Sequence, residues 1–307
     1  MSLLQNVSVP PDGSGNILTT ELHNSYTLPF CFHLPHLIFA LHSKKYNQLK
    51  TKKMKKLFLI AGVLSALTFT ACKKDKDDNN GGGDNTPAKT LKKITKVEEG
   101  VTTVYNFNYT NSKLTSFVSA DGKESTTFTY DAAGNLTKIE SIETEFKNIY
   151  TYTWNNGIPV SGTFKSWEKQ GTQIGDLIED DKLTYTVANS QVTKIHLEMT
   201  QADEEMDFNM NYTNGNLTKV SSAIAGIYSA TFTFGTKKSP YPLVTKYVLD
   251  QAGFSLIFGS KNELVTSAYD FPGTQMDYTI TQQYTYDSAG YPLTSNDGET
   301  KLTFEYQ

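Results

Sequence analysis

The feature that most restricts what this chain can fold into is a phrase that keeps returning. "FTYDAAGNLTK" begins at residue 128. The same plan recurs in "FNYTNSKLTS" (107), "YTWNNGIPVSG" (152), "YTVANSQVTK" (185), "MNYTNGNLTK" (210), "FTFGTKKSPYPLVTK" (232), "LIFGSKNELVTS" (256) and "YTYDSAGYPLTS" (284). Each copy carries an anchor: Tyr109, Tyr130, Trp154, Val187, Tyr212, Phe234, Phe258 or Tyr286. A few Asn, Asp, Gly or Ser residues follow, then Leu or Val, then usually Thr-Lys or Thr-Ser. Before the turns, large residues fall at every second position, as in Tyr105, Phe107, Tyr109 and Tyr150, Tyr152, Trp154. Period two marks one face of a strand, and Thr, Tyr and Phe suit a half-buried pleated surface. Asp and Asn bond their own backbone at turns and Gly accepts positive φ there. The phrase therefore predicts a β-hairpin, with loops of four or five residues built on a type I turn. With "LKKITKV" as a first return strand and "LTFEYQ" as a ninth anchor strand, nine hairpin units predict an all-β, up-and-down antiparallel meander of about 18 strands, closed or rolled into a barrel.

The repeat occupies residues 91–307. Upstream, "MKKLFLIAGVLSALTFTAC" (54–72) has a basic start, a short apolar run and small residues before Cys72. That is the pattern of a secretory leader, and the run is short for a transmembrane helix. It resembles a bacterial lipoprotein signal, which implies that 54–71 is removed and Cys72 carries the lipid. Residues 1–53, with four of the five His, Cys31 and almost no acidic residues, read as an extension ahead of the true start at Met54. Residues 72–90, "CKKDKDDNNGGGDNTPAKT", read as a flexible tether. Lys76-Asp77-Asp78 resembles a surface-export signal of Bacteroidetes lipoproteins. The expected location is the outer membrane, lipid-anchored, facing the exterior or, alternatively, the periplasm.

From Cys72 on, 21 Lys stand against 30 acidic residues, and the whole chain has no Arg. Nucleic acid is not an expected partner, since phosphate and base contacts rely on Arg and Lys. No disulfide is available to the mature chain, whose sole Cys is Cys72.

Tyr130-Asp131 with Gly134-Asn135-Leu136, and Tyr286-Asp287 with Gly290, resemble the YD repeat of Rhs-type proteins. Behind a lipoprotein signal, 91–307 resembles Bacteroidetes lipoproteins whose repeat domain is porin-like. The resemblance implies a barrel and no reaction. Spanning a membrane is disfavoured. Many strands look nearer 6–8 residues than the 9–11 needed to cross. Counting back from a Tyr130–Leu136 pair, Phe128 faces Lys138, Tyr185 faces Lys194 and Met210 faces Lys219. Lysine on a lipid-facing aromatic wall costs roughly 2–4 kcal/mol each at mid-depth.

Little in the mature chain points to catalysis. His196, its one histidine, sits on a strand, and a nucleophile–base–orienter set is not marked. Neither a cofactor nor a metal site is expected. Asp176, Glu179, Asp180 and Asp181 cluster in the longest interruption of the repeat, a loop over about 168–181, beside Trp167. Asp203, Glu204, Glu205 and Asp207 cluster in another. Neither has the spaced pattern of a calcium loop. Trp167, Asp176, Glu179, Asp180 and Asp181 are the candidate binding residues, and Cys72 the lipidation site. The leading expectation is a non-catalytic envelope domain that binds or scaffolds a glycan, a peptide or an envelope protein. A carboxylate-based hydrolase and a pore-forming or lipid-holding barrel are the alternatives.

Overall fold

The computed structural model describes residues 89–250 and 254–307, with only the backbone of Phe254. The extension, the leader, Cys72 and the tether up to residue 88 lie outside the described residues. Seventeen strands form one antiparallel meander: β1 (Leu91–Glu98), β2 (Val101–Thr110), β3 (Lys113–Ser119), β4 (Ser125–Tyr130), β5 (Leu136–Ile142), β6 (Phe146–Asn155), β7 (Ile158–Gln170), β8 (Gln173–Ala188), β9 (Gln191–Met199), β10 (Glu204–Thr213), β11 (Asn216–Ser222), β12 (Ser229–Lys238), β13 (Asn262–Asp270), β14 (Tyr278–Thr281), β15 (Gln283–Tyr286), β16 (Pro292–Asn296) and β17 (Thr300–Tyr306). Each strand from β1 to β13 pairs with the next, β15, β16 and β17 pair in turn, and β17 pairs with β1. β14 lies along β13 and β15 along β16. The two are consecutive, separated by Gln282, whose N–H donates to Val265 O of β13 at 2.8 Å. The ring is thus a nearly closed barrel with its seam at 278–286.

The turns correct the expected loop type. Asn111-Ser112, Asn156-Gly157, Asn189-Ser190 and Asn214-Gly215 all have positive φ at both positions. These are two-residue type I′ turns, whose twist matches that of the strands they join. Among the described anchor turns, only 131–135 and 287–291 are five-residue loops. There the Asp carboxylate accepts the backbone N–H four residues on, at 2.8 Å for Asp131 and 2.9 Å for Asp287.

The register also departs from expectation, for one physical reason. A β-bulge precedes the anchor in seven hairpins, between Asn108/Tyr109, Thr129/Tyr130, Thr153/Trp154, Thr186/Val187, Asn211/Tyr212, Thr233/Phe234 and Thr285/Tyr286. The extra residue lies on the return strand and is Thr in four cases, Thr115, Thr137, Thr193 and Thr218, and Val160, Val265 or Leu293 in the others. The threonine hydroxyl crosses back to a carbonyl of the outgoing strand: Thr115 to Asn108 O at 3.1 Å, Thr137 to Thr129 O at 3.1 Å, Thr193 to Thr186 O at 3.3 Å and Thr218 to Asn211 O at 3.2 Å. Because side chains alternate, one inserted residue flips everything beyond it. Phe128 therefore faces Ile139, Tyr185 faces Ile195 and Met210 faces Val220. Lys138, Lys194 and Lys219 stand on the opposite face, against Thr129, Thr186 and Asn211.

The anchors have a second role. Tyr109 OH donates to Leu91 O at 2.7 Å, Tyr130 OH to Leu114 O at 2.8 Å, Trp154 Nε1 to Leu136 O at 2.7 Å and Tyr306 OH to Pro292 O at 2.8 Å. Each acceptor is the first inward residue of a neighbouring hairpin's return strand. The polar tip of the aromatic thus fastens one hairpin to the next while its ring packs inward. Tyr130→Phe is expected to lower stability by about 1–2 kcal/mol, the worth of the bond plus an orphaned carbonyl. Urea unfolding of the variant measures it. At the seam the pattern slips by two residues: Tyr284 OH reaches Leu264 O at 3.0 Å, and Tyr286 OH donates to Glu263 Oε1 at 3.0 Å.

The buried face is the inside. Tyr105, Phe107, Phe128, Ile139, Tyr150, Phe164, Ile195, Leu197, Phe208, Val220, Phe232 and Phe304 are all buried. Between them lie outward Asn106, Asn108, Thr129, Lys182, Thr184, Asn209 and Thr231, all exposed. The strands run from 4 to 16 residues; nine are eight residues or shorter, in line with the expectation of many short strands, and eight reach nine or more. The faces differ from those of an outer-membrane barrel: the interior is largely apolar and the exterior polar.

About 16–18 strands enclose more space than wall side chains can fill. The expected hairpin around Phe258 supplies the rest. Residues 239–261 are an oversized connection between β12 and β13, which pair with each other, and its described parts, 239–250 and 254–261, enter the lumen as a plug. One expected strand pair is lost, and Phe258 lies in a short helix, α1 (Phe254–Gly259). Phe258 packs on Phe117 at 6.1 Å and Phe128 at 5.6 Å, Tyr247 on Trp154 at 5.7 Å, and Tyr241 on Phe304 at 6.1 Å. Tyr185 OH donates to Leu249 O at 2.9 Å. These contacts reach β3, β4, β6, β8 and β17, so the plug spans the barrel. Gly162 permits one of them, because a Cβ there would lie 2.7 Å from the Tyr185 hydroxyl.

Candidate functional site

The inner wall changes character toward the end opposite the anchor turns. Continuing the inward parity of β1 through β8 brings Lys96, Glu98, Tyr105, Thr126, Ser141, Glu143, Asn148, Ser166, Glu179 and Asp181 to the inside, all buried. Glu98 is held by Lys96 Nζ at 3.0 Å and by Thr300 Oγ1 at 2.9 Å. Tyr105 OH donates to Glu124 Oε2 at 2.5 Å, and Thr144 Oγ1 donates to Glu124 Oε1 at 3.0 Å. The belt continues through Thr126 and Ser141 at 3.2 Å. Glu143 Oε1 accepts from Ser141 Oγ at 3.3 Å and from Asn148 Nδ2 at 3.2 Å. Ser166 Oγ donates to Asn148 Oδ1 at 2.7 Å and lies opposite Glu179 in the ladder.

Burial governs the protonation of this belt. Desolvation pushes Glu143 up to about 8, with the Glu124 charge adding to it. It pushes Asp181 up to about 7, with Asp180 adjacent, and raises Glu179 well above the usual carboxylate range, with Asp181 reinforcing it. Carboxyls that keep protons near neutrality can donate as well as accept. From the plug, Asp250 comes within electrostatic range of Tyr150, Tyr152, Tyr185 and Tyr228. Tyr150 also senses Glu179, Glu143 and Asp181.

The five residues singled out from sequence are divided by this wall. The segment 168–181 is not a loop but the overhanging part of the β7–β8 hairpin, turning at Gly171-Thr172. Glu179 and Asp181 point inward. Asp180, between them, points outward to Lys165 at 3.1 Å. Trp167 is on the outer side of β7, opposite Leu177 and Lys147, and Asp176 is exposed on the overhang. Of the second acidic cluster, Asp207 and Glu205 bracket His196 on the outer face, at 2.9 and 3.3 Å, and Asp207 also pairs with Lys194 at 2.7 Å. Glu98, Glu124, Glu143 and Asp250 escaped sequence reasoning. For Glu143 a signal existed, because it continues the parity of Ile139 and Ser141 once the bulge is counted. For Asp250 none did, because its place depends on the plug.

A family model for the RHS repeat matches residues 109–141, from the anchor Tyr109 to Ser141 on β5. No curated protein matches the chain. Among solved structures, a porin-like protein from Bacteroides uniformis is similar at 15% identity, over 72% of this chain and 99% of that one, with a TM-score of 0.43. Another porin-like protein, from Bacteroides vulgatus, is similar at 14% identity, over 71% of this chain and 98% of that one, with a TM-score of 0.45.

Proposed function

We propose that this protein is a non-catalytic, lipid-anchored binding or scaffold domain of the cell envelope. It stands outside the bilayer and engages its partner at the loop end of the barrel. The observation that carries this reading is the inversion of faces. Charged and hydroxylated side chains cover the outside, while aromatic and aliphatic side chains and the plug fill most of the inside, with the polar belt at one end. A wall bearing Lys138, Glu140, Lys147, Lys165, Asp180 and Lys182 on its outer face is costly in lipid, and a plugged lumen is unsuited to conduction. The leader and Cys72 supply the membrane attachment, and the tether supplies reach. Cys72→Ser is expected to leave the domain folded but to shift it from the membrane to the soluble fraction of cells, read by fractionation and by mass of the N-terminal peptide. Membrane association that survives Cys72→Ser and detergent-free washing, or channel conductance in planar bilayers, would overturn the proposal.

A further inference from the structure

We propose that the anchor-turn end of the barrel is a docking face for an anionic lipid surface, so that the domain stands on its membrane with the opposite, loop end outward. This rests on the lipid-anchored reading above and names the face turned to the bilayer.

The first support is where the described chain begins. Thr90 and Gln307 exchange backbone hydrogen bonds at 3.0 and 2.8 Å, and the N–H of Lys89 donates to Tyr291 OH at 3.0 Å. Tyr291 closes the 287–291 turn, so the chain enters the barrel at the anchor-turn end. Cys72 lies 17 residues before Lys89, and a span of that length reaches no more than about 60 Å. Attachment through Cys72 brings this end nearest to the membrane.

Charge then gives that end its partner. Lys89, Lys113, Lys237, Lys238, Lys246 and Lys261 ring it, all exposed. Several lean across neighbouring turns. Lys238 Nζ and Lys89 Nζ share the Tyr291 ring, at 4.1 and 5.7 Å from its centroid. Lys113 Nζ donates to Gly134 O at 3.2 Å. Lys261 Nζ lies 3.6 Å from where a Cβ on Gly215 would stand. Lys246 Nζ is 5.0 Å from the centre of the Tyr247 ring, which packs on the anchor Trp154. Among the described residues only Lys89 of these six has an ion-pair partner, Asp287 at 2.6 Å. On the wall, by contrast, Lys138, Lys147, Lys165, Lys182 and Lys194 each hold a carboxylate. The surface acids near the rim are already engaged: Glu305 pairs with Lys93 at 2.5 Å, and Asp131 accepts N–H groups of its own loop.

At the loop end the balance reverses. Glu99, Asp121, Glu168, Asp176, Asp203 and Glu205 are exposed there, against exposed Lys123 and Lys301. The barrel thus carries opposite charge at its two ends, although the mature chain is acidic as a whole. An anionic surface repels the loop end and attracts the rim, where each lysine within a Debye length of the headgroups adds to the attraction.

Co-sedimentation with vesicles tests this on the mature chain, residues 72–307, carrying Cys72→Ser so that no lipid takes part. The vesicles are phosphatidylcholine alone or with about one-third phosphatidylglycerol, in about 25 or about 250 mM NaCl. Binding is expected only to the anionic vesicles at the lower salt. Lys237→Gln, Lys238→Gln and Lys261→Gln together are expected to weaken it by about tenfold or more. Lys123→Gln, Lys182→Gln and Lys301→Gln together remove the same charge from the wall and the loop end, and are expected to change it by less than about twofold. Far-ultraviolet dichroism confirms that both triple variants fold. Absence of binding to the anionic vesicles at low salt overturns the inference, as does equal binding to phosphatidylcholine or an equal loss in the two triple variants. Those failures would leave the envelope-scaffold proposal standing, because the lipid is absent from the test. Channel conductance in planar bilayers would defeat that proposal and not the salt-dependent docking of the rim.

Discussion

The domain is expected to be most stable in mild acid and to lose stability steadily as the pH rises from about 4.5 to about 8. Glu143 titrates near 8 in the fold and Asp181 near 7, against ordinary values of 4.5 and 3.8, and Glu179 is raised as well. A carboxyl whose folded pKa lies above its unfolded value holds its proton more tightly in the native state. Its contribution is complete below the unfolded pKa and disappears as the pH climbs through the folded one. One pKa unit corresponds to about 1.4 kcal/mol, so Glu143 and Asp181 each bring an effect on the order of 4 kcal/mol. The carboxylates with depressed values, among them Asp121, Glu140 and Asp207, act in the opposite sense but below that window. Urea midpoints measured between pH 5 and 9 should therefore fall. Glu143→Gln cannot ionise, so it should match the parent at pH 5 and exceed it at pH 9. A midpoint that rises with pH would show that the inward carboxylates are not desolvated as described.

The second large effect concerns the plug. Phe258→Ala is expected to cost about 3–5 kcal/mol, the range for deleting a buried aromatic and leaving a cavity. The position is 4% exposed and its ring meets Phe117, Phe128 and Tyr241. Phe117 and Phe128 belong to the wall and Tyr241 to the plug, so truncation separates the plug from β3 and β4. Thr129→Ala, on the outer face of β4, is expected to change stability by no more than about 0.5 kcal/mol. Guanidinium unfolding of both variants separates these outcomes. A small loss at Phe258 would mean that the insertion contributes little to holding the barrel.

The hairpin meander was legible because its signal is local. Period-two aromatics and Asn/Gly turns are set within a dozen residues, and only the stretch around Phe258 is overridden from a distance. The facing of the lysines was not legible. It turns on a single bulged residue, and Thr137 looks like any other strand threonine until its hydroxyl is seen to bond Thr129 O. The same bulge explains why Val160 and Leu293 are exposed: they occupy the bulged position that Thr fills elsewhere. Phe258 misled because "LIFGSKNELVTS" imitates the phrase, whereas the width of the barrel, a property of the whole ring, draws that stretch inside as a helix. The candidate site was half legible for the same reason. Glu179 and Asp181 were picked for being acidic and clustered. Only the wall's parity distinguishes them from Asp180, and only the plug brings Asp250 within electrostatic range of Tyr150, which they also reach.

The central claim is that the outer face of this barrel meets water. Single cysteines at Thr129, Thr184 and Thr231, all exposed on outer strand faces, placed in the chain that starts at Met54 and bound to vesicles, test it most directly. A membrane-impermeant maleimide is predicted to label all three at the rate of a free thiol, with inward Phe128→Cys protected. Protection of the three outer positions that is lifted by detergent would contradict the claim and place the wall in the bilayer.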